Sequence, residues 1–327
     1  MTEQNTASLL WLGAGDIAER CLPRLAEQNM ECALVSRSMA SRSMASRSMN
    51  SRSAPSRSMP QPAIEHTTVK RLDANLSSPE QALSLAQMRP DFCVCTFSPK
   101  NRSESAYHDA YLNSLSNILD AFAEIKHAPR LVIFVSSTSV YGQRDAEQVN
   151  EQSETSPDSV SSSTMLACEA RLAEQPFPTC ALRFSGIYGP GRYHLLKQAA
   201  KGVTGADHYT NRIHADDCAA IIAFLINRSM NAEHIPPTLL ASDSLPIVSK
   251  GLYEWLSKYM QSEGILLEAD DGEATKGRPK GSTNRGLGKR CDNQLLRSLG
   301  YRFRYPDYRD GFPEIIRAFQ ESGSDRG

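Results

Sequence analysis

Short apolar runs alternate with helix-like segments over residues 1–240 of the chain. Each run is bounded by Gly, Pro or polar residues, which is typical of strands that are buried on both faces of a parallel sheet. The predicted strands are Ser8–Leu12, Glu31–Val35, Thr67–Leu72, Phe92–Thr96, Arg130–Val135 and Thr179–Phe184.

Four segments between these runs are predicted to be helices: Asp16–Gln28, Pro79–Gln87, Tyr107–Ile125 and Thr164–Ala173. In the third segment, apolar residues recur at the spacing of one helix face. The second begins with Pro, which the first turn of a helix accepts. Alternating strands and helices, joined by right-handed crossovers, predict an α/β fold with a Rossmann-type, doubly wound parallel sheet.

The sequence changes character near residue 190, where we place the predicted domain boundary. Residues 1–190 are predicted to form the sheet domain. Residues 191–327, which contain Trp255, several Tyr and a polar run at 268–292, are predicted to form a smaller C-terminal substrate lobe. Some elements of this lobe are expected to return to the sheet domain.

A repeat interrupts the pattern at residues 36–60, where five copies of a five-residue unit each begin Ser-Arg-Ser. The repeat holds five Arg and no acidic residue. Its low apolar content cannot offset the entropy of ordering the chain, so we predict a disordered insertion after the second strand. A basic arm that binds RNA and a target for serine phosphorylation are the alternatives.

Composition and charge narrow the range of partners. The 327 residues are 40% hydrophobic, which is enough for a substantial core, and the formal net charge of −1 gives no overall field that attracts nucleic acid or a membrane. No apolar run approaches the roughly 20 residues that cross a bilayer. The eight Cys form no Cys-x-x-Cys pair. We therefore predict a cytoplasmic protein without a metal site.

A glycine-rich turn, Gly13-Ala-Gly15-Asp-Ile-Ala18, lies between the first predicted strand and the first predicted helix. Gly13 permits a tight turn, Gly15 lets the backbone approach a pyrophosphate, and Ala18 allows close packing of the helix on the strand. The helix N-terminus, at Asp16 and Ile17, presents free N–H groups to phosphate. The position of this turn predicts a dinucleotide-binding site.

The end of the second predicted strand indicates which dinucleotide is bound. NAD sites usually place Asp or Glu there to bind the ribose 2′-hydroxyl, whereas this strand ends with Ser36 and Arg37. An Arg can pair with a 2′-phosphate, which a carboxylate would repel. NADP is therefore the predicted cofactor. NAD is the alternative, since Arg37 is also the first Arg of the repeat.

Several segments resemble the extended short-chain dehydrogenase/reductase family, whose members include sugar-nucleotide epimerases and dehydratases. They are Val135–Gly142, Arg183–Arg192, Asn211–Asp217, Gly288–Asn293 and Tyr305–Gly311. The resemblance covers nearly the whole chain except the repeat. The glycine-rich turn and the Asn-Arg-Ile-His segment are similar to the YeeZ-like branch of the family.

This resemblance implies further contacts and an assembly. Asp73, after the third predicted strand, is implied to contact the adenine. Ser98, after the fourth predicted strand, is a further candidate for cofactor binding. A homodimer is implied through the helices predicted at Tyr107–Ile125 and Thr164–Ala173.

Active members of the family use a Tyr as general acid or base and a Lys four residues later that lowers its pKa, while a Ser or Thr hydroxyl orients the substrate oxygen. Ser137 corresponds to that hydroxyl. Counting back from Glu169, the Tyr and Lys positions hold Ser161 and Met165, and neither side chain can replace the pair. Two hypotheses stay open: an oxidoreductase or epimerase-like protein with an unknown small or nucleotide-linked substrate, and a non-catalytic NADP(H)-binding sensor or scaffold.

Other residues are candidates for the missing functions. Tyr141 is the candidate catalytic residue beside Ser137, and Tyr188 and His214 lie in segments that line the substrate side in the family. A packing role for each Tyr and a backbone bond at a helix start for His214 are the alternatives. Arg192 and Arg212 are candidates for binding the diphosphate of a nucleotide-linked substrate, with simple solvation as the alternative.

Overall fold

The computed structural model describes residues 6–37, 68–265 and 286–324. Apart from Ser36 and Arg37, the predicted insertion at 36–60 lies outside the described residues, as does Thr67, the first residue of the third predicted strand. The polar run at 268–292 is described only from residue 286.

Thirteen strands are present in the described ranges: β1 Ala7–Leu12, β2 Met30–Ser36, β3 Val69–Asp73, β4 Phe92–Cys95, β5 Leu131–Ser137, β6 Asp145–Val149, β7 Thr179–Phe184, β8 Gly186–Tyr188, β9 Tyr209–Thr210, β10 Arg212–His214, β11 Thr238–Ala241, β12 Ile247–Val248 and β13 Gly288–Cys291. Seven of them form one parallel sheet in the order β11-β7-β5-β4-β1-β2-β3. The chain runs outward from β1 in both directions, which confirms the predicted doubly wound, Rossmann-type fold. Six of the seven strands were predicted, and β11 was not.

The described helices are α1 Asp16–Ala26, α2 Pro79–Ala86, α3 Glu104–Tyr107, α4 Ser114–Glu124, α5 Val160–Ala173, α6 His194–Ala200, α7 Ala215–Met230, α8 Ser249–Ser262, α9 Gln294–Ser298 and α10 Tyr308–Ser324. A π-helical turn, His108–Asn113, joins α3 to α4, so the single helix predicted there is three pieces. None of the helices in the described ranges has both the length and the apolar character needed to cross a membrane.

Helix α5 begins at Val160, four residues before the predicted start, because Ser159 caps it. The Ser159 hydroxyl accepts the Ser162 N–H at 3.2 Å, and the Ser162 hydroxyl accepts the Ser159 N–H at 3.1 Å. This reciprocal pair satisfies two helix donors that otherwise have no partner. As a result, Ser161 and Met165 lie one turn apart on the same helix.

The chain divides into two compact units. The first comprises residues 1–137, 158–182 and 219–238, and the second comprises residues 138–157, 183–218 and 239–327. The prediction of a boundary near residue 190 assigns 138–157 and 183–190 to the sheet domain, whereas these residues belong to the second unit.

The core of the first unit is formed by strands that are apolar on both faces. Leu9–Leu12, Phe92–Cys95 and Leu131–Phe134 are all buried, as the continuous apolar runs predict. Cys93 and Cys95 are buried in β4 with their sulfurs 4.0 Å apart, and all eight cysteines are buried free thiols. They therefore pack as small apolar groups.

The second unit has its own apolar core, built mainly from α6, α8 and α10. Its buried members include Tyr188, Leu252, Leu256 and Phe312. Short strand pairs frame this unit: β8 with β10, β9 with β12, and β6 with β13.

Candidate functional site

The glycine-rich turn of the first unit is held in a conformation that only glycine adopts easily. Gly13 has φ +82°, and its N–H and that of Ala14 both donate to the Val35 carbonyl, at 3.0 and 2.9 Å. A Cβ on Gly13 would lie 2.3 Å from the Thr96 carbonyl oxygen. The turn therefore requires glycine for its backbone angle and for its closeness to β4.

Thr96 stabilises this turn through hydrogen bonds, a role that the sequence did not predict. Its hydroxyl donates to the Gly13 carbonyl at 2.8 Å and accepts the Trp11 indole N–H at 2.7 Å. Its own N–H donates to the Leu12 carbonyl at 2.8 Å. The end of β4 thus fixes the end of β1.

Helix α1 begins directly after the turn with its first N–H groups uncapped by any side chain. Its N-cap is Gly15, which has none to offer, and Ala18 is fully buried, so the helix packs closely on the sheet. Asp16 and Ile17 are in the first turn, and the Asp16 carboxylate pairs with the Arg20 guanidinium at 2.8 Å. The exposed positive end of this helix suits an anion such as a pyrophosphate.

Four predicted cofactor residues lie near the carboxyl ends of β2, β3 and β4. Ser36 is in register with Asp73, and the Arg37 guanidinium donates to the Ser98 carbonyl. The Ser36 hydroxyl is buried and has no hydrogen-bond partner among the described residues. A buried hydroxyl without a partner fits a ligand that supplies one, as a ribose does. A Cβ on Gly15 would meet only the Gly13 carbonyl oxygen, at 3.8 Å, so space is open at that glycine. Together with this space, the Ser36 hydroxyl fits a dinucleotide.

The position predicted for the family's catalytic pair lies on α5. The buried Glu169 carboxylate of α5 accepts the Ser136 hydroxyl of β5 at 2.6 Å. Ser137, half-buried, is the last residue of β5. Ser161 is half-buried and Met165 is buried, four residues apart on one helix face. Neither side chain supplies a group that titrates.

Tyr141 is a buried ring of the second unit. The Arg183 guanidinium donates to its phenol oxygen at 2.8 Å, and the Lys289 ammonium donates to its carbonyl oxygen at 2.5 Å. Burial raises the pKa of Tyr141 to about 12, against the lowering effect of Arg183. This environment favours the packing alternative for Tyr141.

Tyr188 is packed in the core of the second unit. Its ring stacks on Phe312 with the centroids 4.6 Å apart, and its hydroxyl donates to the Asp307 carbonyl at 3.3 Å. A Cβ on Gly311 would lie 2.5 Å from that hydroxyl, and burial raises the pKa of the phenol. The surroundings again favour packing.

His214 is fully buried. It bonds to the backbone at the start of a helix, which is the alternative role that the sequence analysis gave it. Its Nδ1 accepts the Asp216 N–H at 3.1 Å, which in a neutral ring leaves the proton on Nε2. Nε2 lies 3.4 Å from Oε1 of Glu314, which also accepts the Tyr305 hydroxyl at 2.9 Å. The neighbouring His214 is the main cause of the lowered pKa of Glu314.

The side chains of His214, Asp216 and Glu314 lie close enough to share a metal ion. A metal at Nε2 would require that nitrogen to lose its proton while Nδ1 still accepts a backbone N–H, which no neutral imidazole can do. The arrangement is therefore that of a His–Glu pair, with Nε2 of His214 3.4 Å from Oε1 of Glu314 but outside hydrogen-bond geometry.

The two predicted substrate-side arginines differ in their surroundings. Arg192 is exposed, and its N–H donates to the Gly189 carbonyl at 3.0 Å. Arg212 is half-buried in β10 opposite Gly186, and its desolvation lowers the pKa of the guanidinium. The Arg212 carbonyl accepts the N–H of Asp243, a residue that the sequence did not single out, at 2.6 Å.

Asp243 is 1% exposed, and burial raises the pKa of its carboxyl to about 8 from the ordinary 3.8. In the folded protein the group thus keeps a proton that the unfolded chain releases, and stability falls as pH rises across this window. We expect Asp243→Asn, which keeps an acceptor for the Leu245 N–H, to remove that fall and to raise stability at pH 8 by a few kcal/mol.

Urea unfolding of both proteins at pH 5, 6.5 and 8 measures this difference, with exposed Asp207→Asn as the matched control. A variant whose stability declines with pH as steeply as that of the wild type would show that Asp243 is ionised throughout.

A doubly wound parallel sheet with a glycine-rich turn and a helix N-terminus at its strand ends defines a dinucleotide-binding protein of the Rossmann class. The model of the NAD dependent epimerase/dehydratase family matches residues 13–235. The chain belongs to that family.

Similar proteins of known sequence or structure support this family assignment. Protein YeeZ of Escherichia coli K12 is 26% identical over 224 residues, which are 68% of this chain and 74% of YeeZ. A Methylobacillus flagellatus structure, provisionally described as an NAD-dependent epimerase/dehydratase, is 29% identical, with a TM-score of 0.72 over 97% of this chain and 100% of that one. The Bordetella bronchiseptica enzyme WbmG, in complex with NAD, is 12% identical, with a TM-score of 0.69 over 99% and 97% of the chains; at that identity it supports the fold alone.

Proposed function

We propose that this protein binds a nicotinamide dinucleotide at the Gly13–Ile17 turn, prefers NADP to NAD, and acts as an oxidoreductase or epimerase-like protein on a small or nucleotide-linked substrate. The observation that carries the cofactor preference is the end of β2. There Ser36, with a buried hydroxyl that lacks a partner, is followed by Arg37. No carboxylate occupies the strand end where an NAD site usually has one.

The charges near this strand end support the preference. Arg37 already reaches across to Ser98, and from there a guanidinium can pair with a 2′-phosphate through two parallel hydrogen bonds. Asp73, exposed beside Ser36, is the proposed acceptor for the adenine amino group. WbmG was solved with NAD, so a relative of this fold binds a nicotinamide dinucleotide.

If the protein is catalytic, the bound dinucleotide supplies or accepts a hydride. Ser137 is proposed to orient the reacting oxygen, and Arg192 and Arg212 to bind an anionic part of the substrate. The proton must then be moved by a group other than Ser161 or Met165. We further propose a cytoplasmic location and a homodimer that forms through α4 and α5.

The second candidate is a sensor or scaffold that binds NADP(H) without turnover. Ser161 and Met165 favour it, because both positions of the usual catalytic pair lack a titratable group. The burial of Tyr141 also favours the sensor or scaffold. Burial raises the pKa of this phenol to about 12, so it is poorly suited to donate or accept a proton near neutral pH.

The first test is calorimetric titration with NADP, NADPH, NAD and NADH. We expect Arg37→Ala to weaken NADP and NADPH by about 10- to 100-fold, the value of a lost charge-assisted hydrogen bond to phosphate, and to change NAD and NADH little. Arg317→Ala, which removes an exposed arginine of α10, should bind as the wild type does.

Binding of NAD in preference to NADP, unchanged by Arg37→Ala, would refute the proposed specificity. Binding of none of the four would refute both the catalytic and the sensor proposals. Where NADP binds, a screen of carbonyl and nucleotide-linked substrates for NADPH oxidation distinguishes an enzyme from a sensor.

A further inference from the structure

A π-helical turn, His108–Asn113, interrupts the helix that the sequence predicts at Tyr107–Ile125. The wider turn is stabilised by the Ser114 hydroxyl, which donates to the Asp109 carbonyl at 2.8 Å. Such turns insert one residue into a helix and are frequent at functional sites. The inserted residue changes the helix face on which the side chains lie, and Tyr111 is the buried aromatic residue of this turn.

Three aromatic rings enclose the ring of Tyr111, which is 8% exposed. Tyr107 stacks on it with the centroids 6.0 Å apart, and Phe97 and Phe134 meet it edge-on at 6.4 and 6.5 Å. These three contacts come from α3, from the segment after β4 and from β5. Packing on three sides therefore fixes the position of the Tyr111 ring.

The Tyr111 hydroxyl, in contrast, forms no hydrogen bond with any residue in the described ranges. Its oxygen is not fully buried, so the small exposed part of the side chain includes its polar end. A tyrosine with a buried ring usually has a protein partner for its hydroxyl. Tyr141 is such a case, since its hydroxyl is bonded to Arg183. Tyr111 instead presents a free donor on a fixed ring.

The surroundings of Tyr111 lie at the end of the sheet that holds the glycine-rich turn. Phe134 is in register with the last residue of β4. Phe97 comes two residues after that strand, and Thr96 between them donates to the Gly13 carbonyl at 2.8 Å. The carboxyl ends of the strands are where a doubly wound sheet binds its ligand.

The order of the strands indicates which half of a dinucleotide comes near Tyr111. Strands β2 and β4 lie on opposite sides of β1, and β5 lies beyond β4. The proposed function assigns the adenosine half to the end of β2 and the pyrophosphate to the turn after β1. A dinucleotide bound in this way continues toward β4 and β5, which brings its nicotinamide half to the Tyr111 side.

The environment of the phenol suits a hydrogen-bond donor. Burial raises the pKa of Tyr111 to about 12, with smaller raising effects from Tyr107 and Cys168 and a lowering effect from Arg37. The hydroxyl therefore keeps its proton near neutral pH and can donate it in a hydrogen bond to a neutral oxygen. The π-helical turn also packs on α5, the helix that carries Cys168 and Met165.

We propose that Tyr111 is a cofactor-binding residue whose phenol donates a hydrogen bond to an oxygen of the nicotinamide nucleoside half of the dinucleotide. The ribose hydroxyls and the carboxamide of that half are its possible acceptors. The assignment deepens the proposed function and rests on it for the presence of the dinucleotide. Tyr111 then contacts one half of the cofactor and Arg37 the other.

The test compares NADP with adenosine 2′,5′-bisphosphate, which keeps the adenosine half and its 2′-phosphate but lacks the nicotinamide nucleoside. Both are titrated calorimetrically into the whole chain, as the wild type and as Tyr111→Phe, which removes the hydroxyl and keeps the ring. We expect Tyr111→Phe to weaken NADP by about three- to tenfold, the value of one neutral hydrogen bond, and to leave the bisphosphate unchanged. If NAD is the preferred dinucleotide, NAD and ADP take the places of these two ligands.

Tyr107→Phe is the matched control, because it removes the hydroxyl of the ring that stacks on Tyr111. This variant should bind both ligands as the wild type does. The melting temperature of Tyr111→Phe without ligand should equal that of the wild type, because the lost hydroxyl has no protein partner. An unchanged melting temperature shows that a loss of affinity does not come from a folding defect.

Equal affinity of the wild type and Tyr111→Phe for NADP would overturn the assignment and leave the proposed function standing. An equal loss for NADP and the bisphosphate would also overturn it, since the hydroxyl would then act on the adenosine half. An equal loss in Tyr107→Phe would attribute the effect to the packing of the rings. A wild-type protein that binds no dinucleotide would refute the proposed function, and this assignment with it.

Discussion

Gly13→Ala is expected to destabilise the protein by about 3 kcal/mol or more and to abolish dinucleotide binding. The new Cβ would lie 2.3 Å from the carbonyl oxygen of Thr96 and 2.7 Å from its carbonyl carbon, and the φ of +82° is itself costly for alanine. Neither Gly13 nor Thr96 can move easily to relieve this contact. The Thr96 N–H is bonded to Leu12 at 2.8 Å, and its hydroxyl is bonded to the Gly13 carbonyl at the same distance.

Trp11 reports this change directly, because its indole N–H donates to the Thr96 hydroxyl at 2.7 Å. Urea unfolding followed by Trp11 fluorescence, with Trp255 replaced by Phe in all proteins compared, measures the loss of stability.

Gly15→Ala is the matched control, since its Cβ would meet only the Gly13 carbonyl oxygen at 3.8 Å. We expect this variant to keep the fold to within about 1 kcal/mol but to bind NADP more weakly, because the methyl group stands where the pyrophosphate approaches. A Gly13→Ala protein with wild-type stability and NADP affinity would refute the role given to the turn.

The fold was predictable from the sequence because its signals are local. Buried parallel strands need continuous apolar runs, and a strand–turn–helix nucleotide site needs small residues at fixed spacing, as in Gly13, Gly15 and Ala18. Strand β11 escaped prediction because its four residues, Thr238–Ala241, follow a long helix and a polar loop without a pattern that separates them.

The candidate site was predictable only where its parts are neighbours in sequence. Ser36 is the last residue of β2 and Arg37 follows it, as the sequence predicts. Thr96 holds the turn through hydrogen bonds to partners 83 and 85 residues away, and no pattern near Thr96 predicts these bonds. Asp243 likewise gains its raised pKa from burial against segments distant in the chain.

Resemblance to a family named candidate segments but could not give the burial of their side chains. Tyr141, Tyr188 and His214 were named from the segments that hold them. In the structure two of them are packed rings, and the third is a histidine with one nitrogen bonded to backbone. The environment of a side chain, which decides its chemistry, is set by the other elements that pack on it.

The environment of Asp217 is also set by segments distant in the chain. Replacing Asp217 is expected to give the second large effect. Its buried carboxylate accepts three hydrogen bonds: from the Tyr301 hydroxyl at 2.7 Å, the Arg304 N–H at 2.9 Å and the Tyr305 N–H at 3.0 Å. Asp217→Ala leaves these donors without their acceptor and should cost about 3–5 kcal/mol. Tyr305 is then no longer held against His214, whose ring centroid lies 3.8 Å away.

Trp255 measures this loss within the second unit, since its ring packs edge-on against Tyr308 with centroids 5.2 Å apart. Urea unfolding followed by its fluorescence, with Trp11 replaced by Phe throughout, should show an earlier transition in Asp217→Ala. Asp217→Asn keeps the oxygen that serves two of the donors and turns an amide toward the third, so its loss should be smaller. If alanine and asparagine were equally harmless, the segment at 301–305 would owe its position to apolar packing alone, and the His214–Glu314 pair would not depend on Asp217.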